Sequence, residues 1–245
     1  MKKALSLVLT AAIGVSCLAA CSKEPAETET SAAETTVEET QNAETTEAPE
    51  TTAAETTEAS ETAADTEVTP ELNDLFEQAL QGFVGVGYTP EFYLGSFDNG
   101  DTIHCFLCES TTITANPVSY WSFVFVLDDG AGNVSIAKVC QPDYACINVY
   151  DGDFLATEVQ TEPVPGGWEE TMDFEVTDDR LAEFRLANII YMPVALLATQ
   201  VVAGMNYIYL ATDDDGNLSI VGIYVDLDGG ASTLGAMNLN IESLY

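Results

Sequence analysis

The chain has 245 residues, with 41 Asp and Glu against 6 Lys and Arg, for a formal charge of −35. Acidity of this size repels nucleic acid and anionic lipid headgroups, which excludes both as partners, and it favours a cationic protein surface. Almost half the residues are apolar, enough for a buried core, so the charge must be concentrated in particular segments.

Residues 1–20 have the plan of a secretory signal. Lys2 and Lys3 precede an apolar run from Ala4 to Val15, which is too short to span a membrane as a helix. The next residues, Leu18-Ala19-Ala20-Cys21, resemble the lipobox of bacterial lipoproteins. That resemblance implies cleavage before Cys21, lipid attachment to its thiol, and an extracytoplasmic, surface-exposed protein anchored to the bacterial cell membrane.

Residues 21–66 are almost wholly Thr, Glu, Ala and Ser, with no aromatic residue and one Val. Such a segment cannot bury enough surface to offset its ordering entropy, and its carboxylates repel one another. It is read as a disordered acidic spacer whose coil spans roughly 40 Å.

The remaining stretch of about 175 residues suits one larger or two smaller domains, and it contains a repeat. Glu67-Val68-Thr69 is matched by Glu175-Val176-Thr177, then Phe76 by Phe184 and Ala79 by Ala187. After a shortening in the second copy, Tyr88 falls on Tyr191, Pro90 on Pro193, Leu94 on Leu197 and Phe106-Leu107 on Tyr209-Leu210. The two units are assigned to 67–150 and 151–245.

In the first unit Thr69 is a helix N-cap and Pro70 suits the first helical position. Leu72, Leu75, Phe76, Ala79, Leu80 and Phe83 form one apolar stripe. Strands are predicted at Phe92–Phe97, Thr102–Ile113, Tyr120–Leu127 and Val134–Val139. In the second unit Thr177 caps a helix carrying Leu181, Phe184 and Ala187, with Asp178 and Asp179 at its positive end. Strands follow at Val194–Val202, Asn206–Thr212, Leu218–Val225 and Leu234–Ile241. The hairpin signals between strands are DNGD, DDGAGN, DDDGN and DLDGG. These turns are not calcium loops: with Gly216 as the central glycine of an EF-hand, Ala211 and Gly222 would occupy the first and last ligand positions. A helix followed by four antiparallel strands, twice, is an α+β architecture with a sheet packed on each helix.

One hairpin breaks the polar rule. Gln200-Val201-Val202-Ala203-Gly204 matches the QxVxG signature of the cystatins, inhibitors of papain-like cysteine proteases, and its setting of helix, strand, hairpin and further strands is similar to theirs. The resemblance implies two cystatin-like units and a protease-binding loop at Gln200, Val201, Val202, Ala203 and Gly204. In cystatins this loop works beside a Gly-containing N-terminal segment and a second hairpin bearing Pro-Trp. Here the second hairpin is Asp226-Leu227-Asp228-Gly229-Gly230, charged where an apolar contact is expected. Gly166 and Gly167 stand about ten residues before the second helix, further than the N-terminal segment would place them. Unit one has Phe97-Asp98-Asn99-Gly100-Asp101 in place of the motif and carries no inhibitory expectation. The competing class is a surface binding or adhesion module that keeps the fold without inhibiting anything.

Four cysteines lie in the folded part, Cys105, Cys108, Cys140 and Cys146. Export favours one or two disulfides among them, or buried thiols in an anaerobic cell. Cys105 and Cys108 point to opposite faces of one strand and cannot pair with each other, and the spacing is poor for zinc. His104, the sole histidine, adjoins Cys105 but faces the other side, so no nucleophile–base dyad arises. No catalytic, nucleotide-binding or metal motif occurs. The expectation is a non-enzyme without cofactor or metal.

Overall fold

The structure is a computed structural model and describes residues 65–148, 152–157, 167–187 and 190–245. The signal, Cys21, nearly all of the acidic spacer and the assigned boundary between units at residues 150 and 151 lie outside the described residues. All described residues belong to one compact unit.

The first half runs α1 (Pro70–Ala79), β1 (Val86–Asp98), β2 (Thr102–Thr112), β3 (Ser119–Asp128), β4 (Val134–Pro142), a 3-10 helix (Tyr144–Asn148) and β5 (Ala156–Thr157). The second runs β6 (Glu169–Glu170), α2 (Asp178–Ala187), β7 (Met192–Val202), β8 (Gly204–Thr212), β9 (Leu218–Val225), β10 (Ala231–Asn238) and α3 (Ile241–Leu244). Two five-stranded antiparallel sheets result, in the orders β1-β2-β3-β4-β5 and β10-β9-β8-β7-β6. The predicted α+β class with a helix on each sheet is what forms. Each sheet has one strand more than the four predicted, because β5 and β6 are two-residue pairings too short to leave a periodic pattern.

The helices start where their caps predict. The Thr69 hydroxyl accepts the Leu72 amide at 3.4 Å, and the Thr177 hydroxyl accepts that of Arg180 at 3.4 Å. α1 ends sooner than its apolar stripe. Gly82 turns the chain at φ 86°, and Phe83 leaves the stripe, half exposed, to meet the Tyr88 ring edge-on at 5.6 Å. At the other end Ile241, predicted to finish the last strand, opens α3 instead, because Asn240 caps it by accepting the amides of Glu242 and Ser243.

Register irregularities coincide in the two sheets. Breaks at Pro90/Phe92 and Tyr93/Gly95 in β1 recur at Pro193/Ala195 and Leu196/Ala198 in β7. The break opposite Phe125/Val126 recurs opposite Gly222/Ile223. Bulges are inherited backbone features, so their coincidence extends the sequence repeat into the geometry. The helix anchors match as well: Phe76 meets Phe106 edge-on at 5.0 Å, and Phe184 meets Tyr209 edge-on at 4.9 Å.

Strand alternation then sorts the core into layers. Phe106, Cys108, Val124 and Val126 face α1, whereas Tyr209, Ala211, Val221 and Ile223 face α2. The opposite faces meet each other: Cys105, Leu107, Trp121, Phe123 and Phe125 pack in one cluster with Leu197, Ile208, Leu210 and Ile220. The order is helix, sheet, sheet, helix, with the largest core between the sheets. Each half also sends its last helical turn across. The 3-10 helix lies over Gly222 and Gly235, where a Cβ on Gly235 would strike the Ile147 carbonyl oxygen. Tyr245, following α3, stacks on Phe97 and Phe125 at 5.4 Å each.

The predicted disulfides are absent. All four cysteines are buried free thiols. Cys105 lies in the core between the sheets and Cys108 in the core under α1, as strand alternation requires. Cys140 points to the Leu244 carbonyl oxygen at 4.0 Å, while Cys146 rides the 3-10 helix to Met237, sulfur to sulfur 3.6 Å. Adjacent elements thus carry these two thiols to different partners. Burial pushes the Cys105 and Cys108 thiols well above their usual range, which makes them unreactive. A thiol count on residues 67–245 with a disulfide-exchange reagent is expected to give four after denaturation and essentially none in the native protein. Two or zero after denaturation would mean that disulfides form.

Candidate functional site

The motif at 200–204 is a hairpin with one residue at its apex. Val201 pairs with Met205 and Val202 with Gly204, which leaves Ala203 alone at the turn. Three features hold that apex. Gly204 has φ 133°, and a Cβ there would collide with the Val225 carbonyl oxygen, so only glycine serves. The Tyr224 hydroxyl donates to the Ala203 carbonyl oxygen. The Asn206 side-chain amide donates to Gln200 Oε1 at 2.8 Å, tying the strands together just below. With its backbone fixed, the hairpin presents Val201 and Val202 to solvent, at 74% and 44% exposure.

The neighbouring hairpin, residues 226–230, carries its two aspartates and a leucine between them. Asp226 Oδ1 accepts the amides of Asp228 at 2.9 Å and Gly230 at 2.8 Å, so this carboxylate is spent closing the turn. Leu227 is thereby thrust outward at 84% exposure. Because β8 pairs with β9, with Met205 opposite Val225, the two apices stand side by side. An exposed leucine thus stands at this edge between the two aspartates, of which Asp228 is exposed as well. Leu227 is the residue sequence reasoning passed over. Its signal was there, a lone Leu between two turn aspartates.

A third segment approaches the same edge. β6 pairs antiparallel to β7, Glu169 opposite Thr199 and Glu170 opposite Ala198. Gly167 lies two residues before β6, on the side where the β7 partner strand runs on toward Val201. Gly166 lies outside the described residues.

The first half lacks such an edge. Its corresponding hairpin closes through Asn99 and Gly100, with the Gly100 amide bonded to Asp98 Oδ1 at 2.8 Å, and Asp98, Asn99 and Asp101 are exposed. His104 is half-buried with Nδ1 3.1 Å from the Tyr93 hydroxyl, and burial holds it below its ordinary pKa. Cys105 sits on the opposite face of the strand, so the two form no dyad. Among the described residues, no group of three or more His, Cys, Asp or Glu could hold a metal ion. No described helix is long and apolar enough to cross a membrane.

Behind the edge, β6 is bound to the first sheet. Glu170 Oε2 accepts the Trp121 amide at 2.9 Å, and the Trp121 indole N–H is shared between the carbonyl oxygens of Thr171 at 3.0 Å and Leu197 at 3.1 Å. Phe92 and Phe174 flank that indole at 6.2 and 5.9 Å.

Compared with known proteins, the chain matches no family model, and no curated protein matches it.

Proposed function

We propose that this chain is a lipid-anchored surface inhibitor of papain-like cysteine proteases. The cystatin-like second half acts as a wedge through Gln200–Gly204, Cys21 holds the protein to the membrane, and the acidic spacer lifts it away. The observation that carries the reading is the exposure of Val201 and Val202 at the apex, uncovered by the first half and adjoining Leu227. Apolar side chains on a backbone fixed in advance enter an apolar cleft without much ordering entropy. Gly167, the Gln200–Gly204 hairpin and Leu227 correspond in position to the three parts of a cystatin wedge, with Leu227 in place of Pro-Trp. The non-inhibitory adhesion module remains the competing reading, and it is favoured by a loop covered by its neighbour.

Titration of soluble residues 67–245 against papain is the direct test, with an expected inhibition constant in the nanomolar to low micromolar range. No inhibition at micromolar protein would reject the protease reading and leave the adhesion module.

A further inference from the structure

We propose that Glu170 is a protonation switch that locks the β6 side of the hairpin edge against Trp121 of the first sheet while its carboxyl is neutral, and frees it when an uncompensated charge forms there. The inference deepens the inhibitor reading, because β6 leads directly to Gly167 at the edge.

The geometry comes first. β6 is held to β7 by two residue pairs and by the Thr171 amide donating to the Leu197 carbonyl oxygen at 2.9 Å, a short pairing to which contacts from behind add support. Glu170 and Thr171 supply that support through the Trp121 amide and indole. The carboxyl group of Glu170 is partly buried and has few polar neighbours. From β3 it meets the Trp121 amide and, close by, the Tyr120 phenol. From the 3-10 helix it meets Tyr144, whose buried hydroxyl lies against the same carboxyl without completing a hydrogen bond of good geometry. From β7 it has Ala198, and on its own strand the exposed Glu169. The ion pair among the described residues is elsewhere, between Arg180 and Glu183.

An ionised carboxylate in this position has two donors at most, the Trp121 amide and the Tyr144 hydroxyl, and no counter-charge, so its desolvation is only partly offset. Burial accordingly raises the Glu170 pKa from 4.5 to about 7, with the Trp121 amide and the Tyr144 hydroxyl pulling the other way. The sign follows by linkage. A carboxyl raised in the folded state favours the closed seam fully below its unfolded value near 4.5, and that contribution is lost as pH rises through about 7. The edge is therefore firm in mildly acidic surroundings and loosens on its β6 side above neutrality.

The protein carries its own reporter. Its two tryptophans are Trp121, bonded to Glu170, and Trp168, whose ring lies 6.2 Å from that of Tyr144. Tryptophan emission of residues 67–245 between pH 5 and 9 is expected to titrate with a midpoint near 7. Glu170→Gln, a neutral amide of the same shape, is expected to be flat and to resemble the acidic form. A flat wild-type profile, or the same midpoint in Glu170→Gln, overturns the switch. In parallel, the inhibition constant for papain, corrected for papain's own pH profile, is expected to weaken by up to about tenfold per unit above the midpoint in the wild type only. Emission that titrates without any papain inhibition rejects the protease reading and leaves the switch standing. Inhibition unaffected by pH beside a titrating emission shows that the seam does not reach the edge, which overturns the regulatory part.

Discussion

Trp121→Ala is expected to destabilise the protein by about 3–5 kcal/mol, the usual cost of removing a fully buried aromatic side chain. The cost should fall on the whole described fold. Trp121 belongs to the first sheet, yet its indole donates to Thr171 and Leu197 of the second half, and it packs with Phe92 and Phe174. Removing it opens a cavity in the core that both sheets share, takes the indole donor from the Thr171 carbonyl and leaves the Leu197 carbonyl with the Thr171 amide alone. Urea denaturation of residues 67–245 followed by far-ultraviolet circular dichroism measures this directly. One cooperative transition is expected, moved to lower urea in the variant. Trp121→Phe keeps most of the packing and deletes the indole N–H, and an intermediate loss of about 1–3 kcal/mol is expected. If the second half instead unfolds separately, with its own midpoint unmoved by Trp121→Ala, the shared core does not couple the halves.

That coupling was the part of the fold hardest to read in the sequence. The local signals were legible because they are local. Thr69 and Thr177 announce helices, and the Asp-Gly-Asn turns announce hairpins. Phe76 and Phe184 stand at equal distances from their caps because both must reach the sheet behind them. Which face of each sheet meets which partner is a different kind of information. Phe106 and Leu107 are both apolar and both wholly buried, one under α1 and the other against the second sheet. A strand buried on both faces loses the alternation that would identify its outer side. The repeat left the packing of its two units open, and the inner faces of both sheets close on each other. Neither β5 nor β6 could be read, since two residues carry no period.

The candidate site was legible in a different proportion. Gln200–Gly204 stood out because the first half, at the same place in the repeat, has a polar turn. Leu227 did not, because the aspartates around it dominated the reading of DLDGG. A turn aspartate is commonly consumed by backbone amides, as Asp226, Asp129 and Asp213 all are. Once those carboxylates are assigned to the turn, the intervening residue has only solvent to face. Gly167 was discounted on distance from α2, yet it stands two residues before a strand paired with the one that leads to Val201. Distance along the chain is a poor guide wherever an edge strand intervenes.

Val201→Asp is expected to raise the inhibition constant for papain by a hundredfold or more while leaving the denaturation midpoint almost unchanged. Val201 is 74% exposed, so an aspartate there costs the free protein within about 0.5 kcal/mol, as for ordinary surface positions. In a closed cleft the same carboxylate must be desolvated without a partner, a penalty of several kcal/mol. Leu227→Ala removes apolar area alone, and a loss of about tenfold to a hundredfold is expected from the burial of one leucine side chain. Gly204→Glu combines a forbidden backbone conformation with a collision at the Val225 carbonyl oxygen, so it should abolish inhibition and also disturb the hairpin. The contrast with Val201→Asp separates contact from folding: the first variant loses function through shape, the second through surface chemistry on an intact fold. Asn99→Ala in the corresponding hairpin of the first half, which is polar and lies outside the edge, should change inhibition less than twofold, an effect of under about 0.5 kcal/mol. Equal losses from Asn99→Ala and Val201→Asp would show that binding is spread over the whole acidic surface, and the wedge would then have to be abandoned. Unequal losses of the stated order assign the contact to Val201 and Leu227, with the first half acting as the support against which β6 is held.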